Sequence, residues 1–107
     1  MAEEKFTAVY LMVRQEELRP EDQGSYERPL AEQKEACLAL IQEKLPPQEQ
    51  EPVSFYTRRS QLFMDMERKK VKRLVVYEVE RLAANRQELE GILFECRSAG
   101  IPILSVR

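Results

Sequence analysis

Glu80 and Arg81 follow the apolar run Leu74-Val75-Val76-Tyr77 and precede Leu82-Ala83-Ala84-Asn85. An acid beside a base where a buried strand gives way to a helix can hold a phosphate or orient a proton. In open α/β sheets that is where ligands sit. A second apolar run, Phe6 to Val13, ends in Met12-Val13-Arg14 and places another cation at a strand exit. Arg58 and Arg59 follow a third short run, Val53 to Thr57. Between Arg58 and Arg73 seven basic residues, among them Lys69, Lys70 and Lys72, oppose only Asp65 and Glu67. Such a run can contact nucleic-acid phosphates, although cations near a helix C-terminus are favoured without any ligand. The chain has no histidine, so the commonest general base and metal ligand are missing. No Asp/Glu cluster has the spacing of a calcium loop. Neither a metal nor another cofactor is expected.

These residues need elements to position them. The chain has 107 residues, the length of one domain. Apolar residues make up 43% and charged residues 34%, an ordinary soluble composition, and the formal charge of −2 gives no global attraction to nucleic acid or membrane. The acidic start Met1-Ala2-Glu3-Glu4-Lys5 lacks the pattern of a signal peptide, and no apolar run approaches a bilayer span. A cytoplasmic location is expected. Cys37 and Cys96 fall at helical core spacing and read as reduced, buried small hydrophobes.

Phe6 to Val13 is apolar on both faces, as in a central parallel strand. A polar loop with Pro20 and Gly24 follows. A helix with Pro29 in its first turn then carries the stripe Leu30, Cys37, Leu38, Ile41, Leu45 and stops at Pro46-Pro47. Pro52 marks Val53 to Thr57 as an edge strand. Ser60 is expected to cap a helix from Gln61 to about Lys70 that buries Leu62, Phe63 and Met66. Leu74 to Val79 is the third strand. Asn85 and Glu88 form a capping-box-like pair ahead of Leu89, Ile92, Leu93 and Cys96. Gly100 and Pro102 end that helix, and Ile103 to Val106 is the fourth strand. The alternation β-α-β-α-β-α-β implies an α/β fold of three layers, a mostly parallel four-stranded sheet with helices on both faces. The order 2-1-3-4 is expected, with the switch point between strands 1 and 3.

In this arrangement the residues resemble the catalytic domain of serine recombinases, the resolvases and invertases. The family's first strand ends Tyr-x-Arg-Val-Ser, and Tyr10-Leu11-Met12-Val13-Arg14 stands in its place. The family's first helix carries a Gln, matched by Gln33. Val76-Tyr77-Glu78-Val79-Glu80-Arg81-Leu82-Ala83-Ala84 follows the family's Val-Tyr-x-x-Asp-Arg-Leu-x-Arg, and the stretch from Ala99 to Val106 follows its last turn and strand. The resemblance implies a serine that attacks a DNA phosphodiester and becomes joined to the strand, with arginines around the phosphate. Here the nucleophile position is Arg14. The arginine two residues earlier is Met12, the arginine closing the motif is Ala84, and the aspartate is Glu80. Only Arg81 is retained, and Arg58 or Arg59 would stand in for the arginine of the family's glycine- and serine-rich loop.

The resemblance therefore implies a single resolvase-like domain over residues 1–107, without the family's dimerisation helix or DNA-binding domain, and a degenerate catalytic site: a pseudoenzyme. The expected function is a binding or regulatory module related to site-specific DNA recombination, encoded on a mobile element. Its partners would be DNA or a recombinase-like protein, including a second copy as a homo-oligomer, and no membrane. The alternatives are active serine-recombinase-type strand cleavage, or a flavodoxin-like module that binds a phosphorylated ligand. The binding candidates are Arg14, Arg58, Arg59, Arg81, Lys69, Lys70 and Lys72. Each has a bland counterpart. Arg14 and Glu80 read as an ion pair plugging the crevice, in preference to a phosphate grip. Arg81 either holds an anion or pairs with Glu16 or Glu17. The basic run is first of all a solvated face. Tyr10, Phe55, Phe63 and Tyr77 read as core, and Met12, Met64 and Met66 as gap-fillers.

Overall fold

Four parallel strands, Phe6–Tyr10 (β1), Val53–Tyr56 (β2), Val71–Val76 (β3) and Ile103–Ser105 (β4), form one sheet in the order β2-β1-β3-β4. Three helices connect them, Glu27–Lys44 (α1), Arg59–Glu67 (α2) and Arg86–Ser98 (α3). This computed structural model describes residues 5–107; the acidic start from Met1 to Glu4 lies outside the described residues. Every pairing is parallel: Thr7 opposes Val53, Tyr10 opposes both Tyr56 and Val76, and Leu74 opposes Ile103. The expected order and layering are borne out.

The two sheet faces carry separate cores. On one, Val9, Leu11 and Val75 meet Cys37 and Ile41 of α1. On the other, Ala8, Tyr10, Leu74 and Val76 meet Leu62 of α2 and Cys96 of α3. Leu62, Leu74 and Val75 are fully buried, each worth about 1.5–3 kcal/mol in apolar transfer. The two cysteines are buried and free on opposite faces of the sheet. Burial pushes the Cys37 thiol up to about 11 and also raises Cys96.

Several boundaries differ from expectation. β3 starts at Val71 rather than Leu74, because Val71 is buried beside Phe6 while Arg73 is accommodated by Thr7 (3.0 Å) and Glu49 (3.5 Å). β3 also ends early: the chain turns into a 3₁₀ segment, Val79–Leu82, before α3. α2 begins at Arg59 with Arg58 at its N-cap and no side-chain cap, so Ser60 lies inside the helix. Asn85 does cap α3, accepting from the Glu88 amide at 2.8 Å, but the Glu88 carboxylate engages Arg59 instead of closing the box. Phe55 lies exposed on edge strand β2, with Lys34 Nζ 4.5 Å from its ring centre, and Met64 is exposed rather than filling a gap.

α3 ends as the sequence implies. The Ile101 amide donates to Cys96 O (2.8 Å) and the Gly100 amide to Arg97 O (3.1 Å), with Gly100 at φ 72°. This is a Schellman stop, in which glycine takes the left-handed position.

Candidate functional site

Just beyond β1, Met12 is fixed by side chains rather than by a neighbouring strand. Gln33 on α1 accepts from the Met12 amide (3.1 Å) and donates to the Met12 carbonyl (2.6 Å). Gln33 lies on the buried face of α1 with Pro29, Cys37 and Ile41, so its amide has no alternative in water. The Met12 carbonyl also accepts from Arg81 Nη1 at 2.7 Å. Two elements that follow different strands thus meet on one backbone unit at the switch point.

Arg81 is buried, with 8% of its side chain exposed. Its Nε and Nη2 both donate to Glu78 Oε1, at 2.9 and 2.7 Å, and Nη2 pairs with Glu17 at 2.6 Å. Burial works against the guanidinium charge, but Glu17 and Glu78 outweigh it and hold its pKa above the ordinary value. The Arg81 hydrogen bonds hold the Glu78 carboxyl below its ordinary value against the opposing effect of burial, and Arg107 and Arg14 add to the lowering. Tyr77 lies between two cations, 5.3 Å from Arg81 and 5.7 Å from Arg107.

Glu17 is delivered by the loop between β1 and α1. Arg28, in the first turn of α1, donates to both oxygens of Asp22 (2.9 and 2.8 Å) and to Glu32 (2.9 Å). The Arg19 amide also donates to Asp22 (2.8 Å). These bonds depress the Asp22 carboxyl to about 2, the Arg28 contribution being the largest.

A cleft of about 470 Å³ opens beside this cluster and is lined by Arg14, Glu80, Ala83, Ala84, Asn85, Arg86 and Leu89. Arg14 and Glu80 share this cleft as exposed residues, but no Arg14–Glu80 ion pair is found among the described residues. On the 3₁₀ turn residues three apart align, so Glu78 rather than Glu80 meets Arg81. Arg59 is also occupied: it donates to Leu82 O (3.0 Å) and pairs with Glu88, tying α2 to the start of α3. Arg58 is exposed at the head of α2.

Residues 20–107 match the family described as Resolvase, N terminal domain. The chain belongs to this family. Neither the curated proteins nor the solved structures gave a match. Membership relates the chain to site-specific DNA recombination. The matched span contains Gln33, Glu80, Arg81 and Ala84, while β1 and the positions of Met12 and Arg14 lie before it. The resolvase-like positions converge in space: Met12, Arg14, Glu80, Arg81 and Ala84 surround the carboxyl ends of β1 and β3. Lys69, Lys70 and Lys72 do not join them. They lie where β3 begins, across the six-residue strand, about 20 Å away at the usual rise.

Glu78 is the site residue that sequence reasoning missed. Its spacing of three from Arg81 was the available signal, masked by the expectation of a continuous strand to Val79. Among the described residues, no group of three or more Cys, Asp or Glu side chains is arranged to hold a metal, and no helix is long and apolar enough to cross a membrane.

Proposed function

We propose that this chain is a catalytically inactive resolvase-type domain, a binding or regulatory module of site-specific recombination whose partner is DNA or another recombinase-like protein. The observation that carries this reading is the state of Arg81. The one arginine kept from the family motif has its donors directed at Glu78, Glu17 and the Met12 carbonyl, in a largely buried setting. An incoming phosphate would have to displace two carboxylates that already neutralise it.

The chemistry agrees with the geometry. Covalent attack on a phosphodiester needs a nucleophilic oxygen and cations around the spread negative charge. The nucleophile position holds Arg14, and two cation positions hold Met12 and Ala84. Loss of one oxyanion donor alone costs about 10²–10³ in rate, and here the nucleophile is missing as well. In this reading the module works in the cytoplasm, beside DNA, as a remnant of a mobile element's recombinase.

Incubation with supercoiled and nicked duplex DNA, followed by denaturing electrophoresis, tests the proposal. No covalent protein–DNA adduct and no change of topoisomer are expected. An adduct that survives denaturation would sink the inactive reading and restore strand cleavage.

A further inference from the structure

We propose that the amino end of the sheet, opposite the resolvase crevice, is a docking surface for the phosphate backbone of duplex DNA, formed by Lys5, Arg68, Lys69, Lys70 and Lys72. The inference rests on the relation to recombination proposed above for the identity of the polyanion; the surface itself follows from the structure.

Three elements bring these cations together. Arg68 caps the C-terminal end of α2, Lys69 and Lys70 form the turn, and Lys72 lies on β3. The Phe6 amide donates to Lys70 O at 3.0 Å, so Lys5 enters beside Lys70. Among the described residues none of the five takes part in an ion pair, whereas Arg28, Arg59, Arg73 and Arg81 are each paired with a carboxylate. At the crevice end Arg28, Arg59 and Arg81 are neutralised while Arg14 and Arg58 are not; at the opposite end Arg73 is paired with Glu49 and these five cations are not, among the described residues. The dipole of α2 accounts for cations at Arg68 and Lys69, but Lys5 immediately precedes β1 and Lys72 stands on β3.

The backbone at Lys69 supplies an independent observation. α2 ends in the same Schellman stop as α3: the Lys70 amide donates to Asp65 O (3.0 Å) and the Lys69 amide to Met66 O (3.0 Å). α3 fills the left-handed position with Gly100, at φ 72°; α2 fills it with Lys69, at φ 60°. A side chain in that conformation is strained where glycine is not. Such strain kept at an exposed position points to function. The charge of Lys69 is what glycine would not supply.

The occupant follows from what surrounds the charges. Among the described residues no aromatic ring lies against the five cations; Phe6 is partly buried and stacks with Tyr56 at 6.4 Å. Single-stranded nucleic acid is held by stacking as well as charge, so a charge-only surface suits a duplex backbone read without sequence preference.

Fluorescence anisotropy of the full chain with a short labelled duplex tests this. Five phosphate contacts give a slope of log affinity against log salt of about −4 to −5 between about 50 and 200 mM. Replacing Lys69, Lys70 and Lys72 together by alanine is expected to make the slope shallower by about 3, and Lys34→Ala with Lys44→Ala on α1 to leave it unchanged. Lys69→Gly is expected to raise the melting temperature and weaken binding together, a combination that a purely structural lysine does not produce. Absence of binding at low salt would overturn the proposal. So would a slope untouched by the triple variant but lost on Arg14→Ala or Arg58→Ala, or tighter binding to phosphatidylserine vesicles than to duplex. A covalent adduct would overturn the inactive reading and leave this surface standing; a flat salt response would do the reverse.

Discussion

A guanidinium offers five N–H donors in a rigid fork, and Arg81 directs that fork at two carboxylates and a carbonyl. What distinguishes a structural arginine from a phosphate grip is therefore its surroundings, and these come from distant sequence. Arg81 and its possible pairing with Glu17 were legible in the sequence. The bond to Met12 O was not, because nothing in a linear pattern shows which backbone carbonyl faces a turn. The role of Gln33 had a signal: a polar residue four before Cys37, within the buried stripe. Asp22 gives a pH dependence whose sign is fixed. Its folded pKa of about 2 lies below the ordinary 3.8, so its contribution is complete above about pH 4 and is lost as pH falls through 2. The lowered Glu78 acts in the same sense. Urea midpoints should fall across this acid range, and Asp22→Asn should flatten the fall. Raised thiol pKa values at Cys37 and Cys96 should keep both unreactive toward thiol reagents at neutral pH until the chain unfolds, which a labelling time course with and without denaturant would read.

At the scale of elements, the helix ends decide much of the geometry. Gly100 and Pro102 announced the end of α3, but the end of α2 was hidden, since lysine does not mark a left-handed stop. That concealed stop also hid the start of β3: with Lys69 read as helix, Val71, Lys72 and Arg73 could not be read as strand. Lys69→Gly should stabilise the fold by roughly 0.5–1 kcal/mol in equilibrium unfolding. Asn85→Ala should remove the only side-chain acceptor capping α3 among the described residues and cost about 1 kcal/mol. Glu88 illustrates a competition that sequence spacing cannot resolve. A capping box and an ion pair with Arg59 use the same carboxylate, and the tertiary partner, twenty-nine residues away, takes it.

For the whole molecule, sheet order was legible because alternation of strands and helices, right-handed crossovers and an edge-marking Pro52 leave few arrangements. The distribution of charge over the sheet was not. Arg58 and Arg73 belong to one basic run in the sequence, yet Arg58 and Arg59 lie at the carboxyl end of the sheet and Arg68 to Lys72 at the amino end. Helix α2 runs back from the carboxyl end of β2 to the amino end of β3, so its two basic ends lie at opposite ends of the sheet. The two ends thus differ: a crevice whose retained arginine is locked into the fold, and a rim where Lys5, Arg68, Lys69, Lys70 and Lys72 take part in no ion pair among the described residues. The locked arginine is tested most directly by equilibrium unfolding of Arg81→Met beside its duplex affinity. Removing the cation leaves Glu17 and Glu78 without their partner and the Met12 carbonyl with Gln33 alone, and a loss of about 3 kcal/mol with unchanged DNA affinity is expected. A stability change within about 0.5 kcal/mol, the range of ordinary surface substitutions, together with a loss of DNA affinity, would contradict it.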